Sequence, residues 1–294
     1  MSVSMAGFTI NDAISKLVAE TMNMGQVMLV RGFFATLFVG LLTWQQRAFV
    51  RWDIAFNPYV VVRVACEAFA TICFLTALAH LPIATVSAVL QALPLAVTMG
   101  AALVYGEKVG WRRWLAISVG FFGVMVIVRP GFEGFSAYSL LSLLCVFFCA
   151  VRDLATRRIP AEIPSLYVST ATAVVVMLAG LCLVQPMGGW SPLTAWNVGM
   201  LAFGASMLII GYQFIIMAMR VGEISFIAPF RYTALLWALA LGFLFFGDVP
   251  DIAMTVGALI VVGSGLYTLY REQVVGRRRV AAESTSPSMA PDGL

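Results

Sequence analysis

The stretch PIATVSAVLQALPLAVTMGAALVYGE runs from Pro82 to Glu107 and carries no charge before its last residue. A helix needs about 20 consecutive apolar residues to cross the hydrocarbon core of a bilayer, and this run supplies them. Outward in both directions the same texture repeats. Apolar runs occupy roughly 2–20, 24–44, 58–79, 82–105, 112–129, 136–156, 164–185, 195–219, 223–246 and 252–270. Turn chemistry at Leu81-Pro82, Arg129-Pro130-Gly131 and Val249-Pro250 separates several of them. An outer-membrane barrel would instead show alternating strands of ~10 residues. The expected fold class is all-α integral membrane, with ten transmembrane helices.

Composition agrees. Of 294 residues, 61% are hydrophobic and 11% charged, with a mean hydropathy of +0.95. Soluble domains carry about 25% charge. Charge this scarce leaves lipid as the solvent for most of the surface. Cys66, Cys73, Cys145, Cys149 and Cys182 lie inside apolar runs without metal or disulfide spacing, as small packing residues do. Residues 1–10 lack the basic start and small-residue cleavage site of a signal peptide. The first run has about ten apolar residues before Asn11-Asp12, short of the ~20 a crossing needs. Either its helix is short and shielded by its neighbours, or the natural start lies upstream.

Lys and Arg accumulate in cytoplasmic segments. With the first end inside, the inside segments hold Arg47, Arg51, Lys108, Arg112, Arg113, Arg152, Arg157, Arg158, Arg220, Arg271, Arg277, Arg278 and Arg279. The outside segments hold Arg129 as their basic residue, beside Glu20, Glu133, Asp248 and Asp251. Both termini are therefore expected in the cytoplasm of a multi-pass protein of the bacterial inner membrane.

The chain repeats itself. Leu78 to Ala84 matches Ala218 to Ile224 at an offset of about 140 residues, and Val104-Tyr105-Gly106-Glu107 matches Phe245-Phe246-Gly247-Asp248 after a one-residue slip. Gly123 and Gly263 mark the helix that follows each. Five helices per half is an odd number, so the second half enters from the opposite side. The halves are expected to be inverted repeats, 1–130 and 131–272, with 273–294 a disordered cytoplasmic tail. Two inverted halves give two near-equivalent packings around a central site, the logic of a transporter.

At several stretches the sequence resembles the EamA-like branch of the drug/metabolite transporter superfamily. They are Ile10 to Leu17, Leu29-Val30-Arg31-Gly32, Leu81 to Ala84, Tyr105-Gly106-Glu107 leading into Trp111-Arg112-Arg113-Trp114, Pro229 to Thr233, and Phe246 to Asp251. The resemblance covers nearly all of the chain before the tail. It implies a cavity lined by helices 1, 3, 4, 6, 8 and 9, alternating access, and dimer contacts through helices 5 and 10. It points first to uptake of riboflavin, and otherwise to export or exchange of amino acids, nucleotide-like metabolites or drugs.

Charges at membrane depth cost a few kcal/mol or more unless paired or hydrated. Asp12 and Arg31 lie at equal distances from the tip joining helices 1 and 2, so they are expected to pair. Lys16 stands one turn from both Asp12 and Glu20. This set either locks the hairpin or takes part in transport. In helix 3, Glu67 is either an internal partner of Arg63 or a coupling-ion site, while Arg63 is near enough to the inner surface to snorkel. Arg231 lies near mid-membrane in helix 9, opposite Gln91 of helix 4 in the repeat, with Pro229 loosening the turn before it. Tyr212 and Gln213 of helix 8 fall at the same depth. With Tyr232 and Trp237 these residues form a candidate solute site for a planar or anionic molecule. The competing reading has Arg231 capping loose carbonyls beside Pro229. Histidine 80 reads as an interfacial residue or a proton relay. Gly120, Gly123, Gly257, Gly263 and Gly265 permit close helix contact within or between chains.

No His-Glu-x-x-His, Gly-x-Ser-x-Gly or phosphate-cradling loop is present. The reading names no catalytic residue, metal, cofactor or nucleic-acid partner; a small-molecule substrate and membrane lipid are the expected partners, with a homodimer through helices 5 and 10.

Overall fold

In a computed structural model, residues 1–46, 57–107, 109–129, 136–160, 162–221 and 227–274 are described. All regular structure among them is helical. The helices are α1 (Ser2–Ala19), α2 (Met24–Gln45), α3 (Pro58–His80), α4 (Ile83–Tyr105), α5 (Trp111–Val128), α6 (Ala137–Thr156), α7 (Ser165–Val184), α8 (Ala195–Val221), α9 (Thr233–Phe246) and α10 (Ile252–Val274). Their ends fall within a few residues of the expected spans. Span 9 differs most: a 3₁₀ turn, Ala228–Tyr232, precedes α9. The tail assignment falls almost wholly outside the described residues.

Local chemistry sets these boundaries. Asn23 caps α2, its side chain accepting from Gln26 N at 2.9 Å. Asn57 caps α3 just before Pro58, a good first helical residue. Asp251 caps α10, accepting from Met254 N at 2.7 Å. Gly106 and Gly247 end α4 and α9 in the left-handed region, at φ 64° and 66°, where a side chain is strained.

Among the described residues, nine helices are long and apolar enough to cross a membrane. The first, α1, is the exception, because Ser4, Thr9, Asn11, Asp12 and Ser15 are buried along it. It lies against α8, α9 and α3, so its polar residues face protein. Elsewhere the surface is apolar. Leu103, Val104, Phe122, Phe243, Leu244 and Leu259 are each more than 60% exposed, an arrangement that water does not tolerate at this extent and lipid does. The longest helix is α8, with 27 residues, or about 40 Å at 1.5 Å per residue. The α-helical part of α9 has 14.

The main helix contacts are α2 with α7, α3 with α6, α5 with α10 and α1 with α8; further ones join α1 to α9, α4 to α6, α3 to α7, α2 to α8 and α4 to α9. Advancing every number by five, cyclically, reproduces this set. Small residues bring two of these pairs together. A Cβ on Gly123 would lie 2.9 Å from Gly257 O, and one on Gly257 would lie 2.7 Å from Gly123 O. Those two glycines therefore pack within the chain, α5 on α10. Gly120 likewise faces Ser264, whereas Gly263 opens onto empty space.

Helix α4 is broken at its middle. Its pieces, Ile83–Leu90 and Leu93–Tyr105, are separated by Gln91 and Ala92 in a turn. Gln91 N is shared between Ser87 O and Ala88 O, and Pro94 follows without an N–H to give back to Leu90. The repeat counterpart is the 3₁₀ turn ending at Tyr232. Irregular backbone thus sits at matching positions of the two halves.

Candidate functional site

A cluster of buried charge lies where α1, α2, α3, α6 and α8 converge. Its hub is Arg152 of α6, fully buried. Its Nη1 donates to Glu67 Oε2 of α3 at 2.6 Å, and its Nε donates to Asp153 Oδ1 at 2.8 Å. Arg63, one turn before Glu67, is also fully buried and donates from Nη1 to Thr172 Oγ1 of α7 at 2.6 Å. The charges of Glu67, Arg152 and Asp153, and Tyr212, act on Arg63. Asp12, Tyr212 and Glu67 act on Arg31, which is 7% exposed. Asn11 Nδ2 donates to Asp12 Oδ1 at 3.2 Å.

This arrangement corrects two expectations. Glu67 finds its hydrogen-bonded partner in Arg152, 85 residues away, rather than in Arg63. Arg63 does not snorkel, since nothing of it reaches the surface. Arg152 was counted among the cytoplasmic loop charges and is instead the centre of the cluster. Thr172 and Asp153 were also missed; the one available signal was that Arg152-Asp153 stands 141 residues after Asn11-Asp12.

Lys16 turns away from Asp12. Its Nζ donates to Leu81 O, lies 3.8 Å from Asp248 Oδ2, and sits 5.0 Å from the Phe246 ring centre. A second group has the same parts: Arg157 donates to Glu107 Oε1 at 3.1 Å and stands 5.8 Å from the Tyr105 ring centre. Each member of the first group has its counterpart 141 residues away in the second. Each group clasps the last turn of one helix to the left-handed glycine corner of the other half.

The expected solute-site residues are more dispersed in burial. Gln91 is buried at the α4 break, and Tyr212 is half-buried with its ring 5.1 Å from that of Phe8. Gln213 and Trp237 are exposed, and Arg231 is half-buried in the 3₁₀ turn. Tyr232 is 7% exposed and packs with Leu269 of α10; its hydroxyl has no hydrogen-bond partner and fills the space left by Gly265. His80 stacks on Tyr138 at 3.7 Å, and its Nδ1 lies 2.8 Å from Thr76 O.

A helical membrane protein whose charge is gathered on an internal seam belongs to the multi-pass carriers rather than to soluble enzymes. The model of the EamA-like transporter family matches residues 1–129. A riboflavin transporter of Vibrio cholerae is 33% identical over 210 residues, covering 70% of this chain and 69% of the relative. A pseudopaline exporter, CntI of Pseudomonas aeruginosa, is 27% identical over 87% of this chain and 89% of the relative. An S-adenosylmethionine uptake transporter of Rickettsia prowazekii is 23% identical over 92% and 91%. One solved crystal structure shares the fold at a TM-score of 0.55 and 20% identity, covering 93% of this chain and 98% of that one. The chain belongs to the EamA-like transporter family of the drug/metabolite transporter superfamily.

Proposed function

We propose that this protein is a secondary transporter that carries a small organic metabolite across the bacterial inner membrane by alternating access. The observation that carries the reading is the matched pair of clasps. Lys16 and Glu107 belong to the half 1–130, and Asp248 and Arg157 to the half 131–272, so both clasps bridge the halves. The helix contacts, unchanged when every helix is exchanged for the one five places on, support inverted repeats. Five helices per half put the end of α1 and the end of α6 on opposite faces, with both termini cytoplasmic. Releasing one clasp while the other holds opens one face at a time. Gln91 and Arg231, at the matching irregular turns, line the solute path with Tyr212, Gln213, Tyr232 and Trp237. Asp12, Arg31 and Glu67 belong to its charged floor.

Riboflavin is the first solute to test, because a relative named for it is 33% identical. A carboxylated metabolite such as an amino acid is the second reading, favoured by arginine donors left without acceptors in the cluster. A riboflavin-auxotrophic bacterium expressing this chain should grow at low external vitamin, and failure removes the first reading. Reporter fusions after Asp251 and after Arg279 should report opposite sides; equal readings would refute the ten-crossing topology.

A further inference from the structure

Three N–H-bearing nitrogens in the charge cluster have no hydrogen-bond partner: Nε and Nη2 of Arg63, and Nη1 of Arg31. Both residues are more than nine-tenths buried. Unpaired donors of a buried cation are costly, and a native structure keeps them where something else satisfies them. The acids of the cluster are already committed: Glu67 and Asp153 to Arg152, and Asp12 to Asn11. No oxygen of Asp12, Glu67 or Asp153 is both buried and unpartnered. Nε and Nη2 form one edge of the guanidinium, two parallel donors in a plane, while the bond from Nη1 to Thr172 fixes the plane's direction. Two parallel donors fit two oxygens on one planar group. Resting on the transporter reading, and on its second solute class, we infer that the cluster receives the carboxylate of the transported metabolite. Arg63 grips both oxygens edge-on and Arg31 Nη1 contacts the same group. The site uses residues of α2 and α3 held by α6 and α7, so it lies on the seam that the clasps open.

Binding is measured as ligand-induced thermal stabilisation of the purified full chain in detergent. The probes are L-methionine with L-methioninamide, L-histidine with L-histidinamide, succinate with succinamide, and riboflavin, which has no carboxylate. At least one carboxylate should bind about tenfold or more tighter than its own amide. Arg63→Lys keeps the charge but loses the planar edge, and should remove that preference. Arg31→Lys should weaken it less, and serves if Arg63→Lys does not fold. Equal binding of acid and amide, no binding by any carboxylate, or a preference unchanged in both variants overturns the site. Flux of the same probes into proteoliposomes separates the two claims. Riboflavin flux equal in wild type and Arg63→Lys leaves transport standing and overturns the carboxylate site. Carboxylate binding without any flux removes the transport reading and keeps the site.

Discussion

The two clasps are built from the same parts and differ in how tightly they close. Arg157 reaches Glu107 at hydrogen-bond distance, 3.1 Å. Lys16 stops 3.8 Å short of Asp248, giving a proton to the Leu81 carbonyl instead. Asp248 Oδ2 is left buried without a hydrogen-bond partner. The looser clasp is also the drier one, with side chains 13% and 26% exposed against 23% and 37%. Duplication has preserved the positions of cation, acid, aromatic ring and glycine, but an ammonium and a guanidinium do not reach alike. The end held by Lys16 is therefore the weaker of the two.

The largest effect comes from removing what lies between the clasps. Arg152→Leu leaves Glu67 and Asp153 buried without their cation, a cost of about 3–5 kcal/mol. Little folded protein should survive size-exclusion chromatography in detergent, and a native-like melting curve would show that the halves do not depend on this hub. Next come the clasps themselves. A double-mutant cycle on Arg157 and Glu107 should give a coupling of about 0.5–1 kcal/mol, and one on Lys16 and Asp248 clearly less. Equal couplings would erase the asymmetry. The smallest effect sharpens it: Lys16→Arg supplies a longer planar fork and should raise the melting temperature slightly by bonding Asp248 Oδ2. A fall on that substitution would mean that the Leu81 carbonyl, rather than Asp248, is what position 16 serves.

Much of the scaffold was legible because its signals are local. Apolar run length gave the helix positions, and Tyr105-Gly106-Glu107 with Phe246-Gly247-Asp248 marked the same corner twice. The buried charges Asp12, Arg31 and Glu67 stood out against apolar surroundings. Their partners did not, because spacing along a helix favours neighbours one turn apart, such as Arg63 with Glu67, and says nothing about another helix. Arg152 was hidden by position: four residues from the end of α6, it reads as a loop cation. Which side of the helix it faces is set by α3 packing against α6. The exposure of Gln213 beside half-buried Tyr212 is likewise a matter of helix rotation, which depth alone does not fix.

The length of α8 carries a consequence of another kind. A rod of about 40 Å does not fit upright in a hydrocarbon layer of about 30 Å. It must lean, or push its ends into the headgroups. Because α8 packs on both α1 and α2, its tilt is shared with the helices that bear Asp12, Lys16 and Arg31. Bilayer thickness is thereby wired to the charged seam: thin lipid asks for more lean and thick lipid for less. The surrounding membrane is a mechanical input to this protein as well as its solvent.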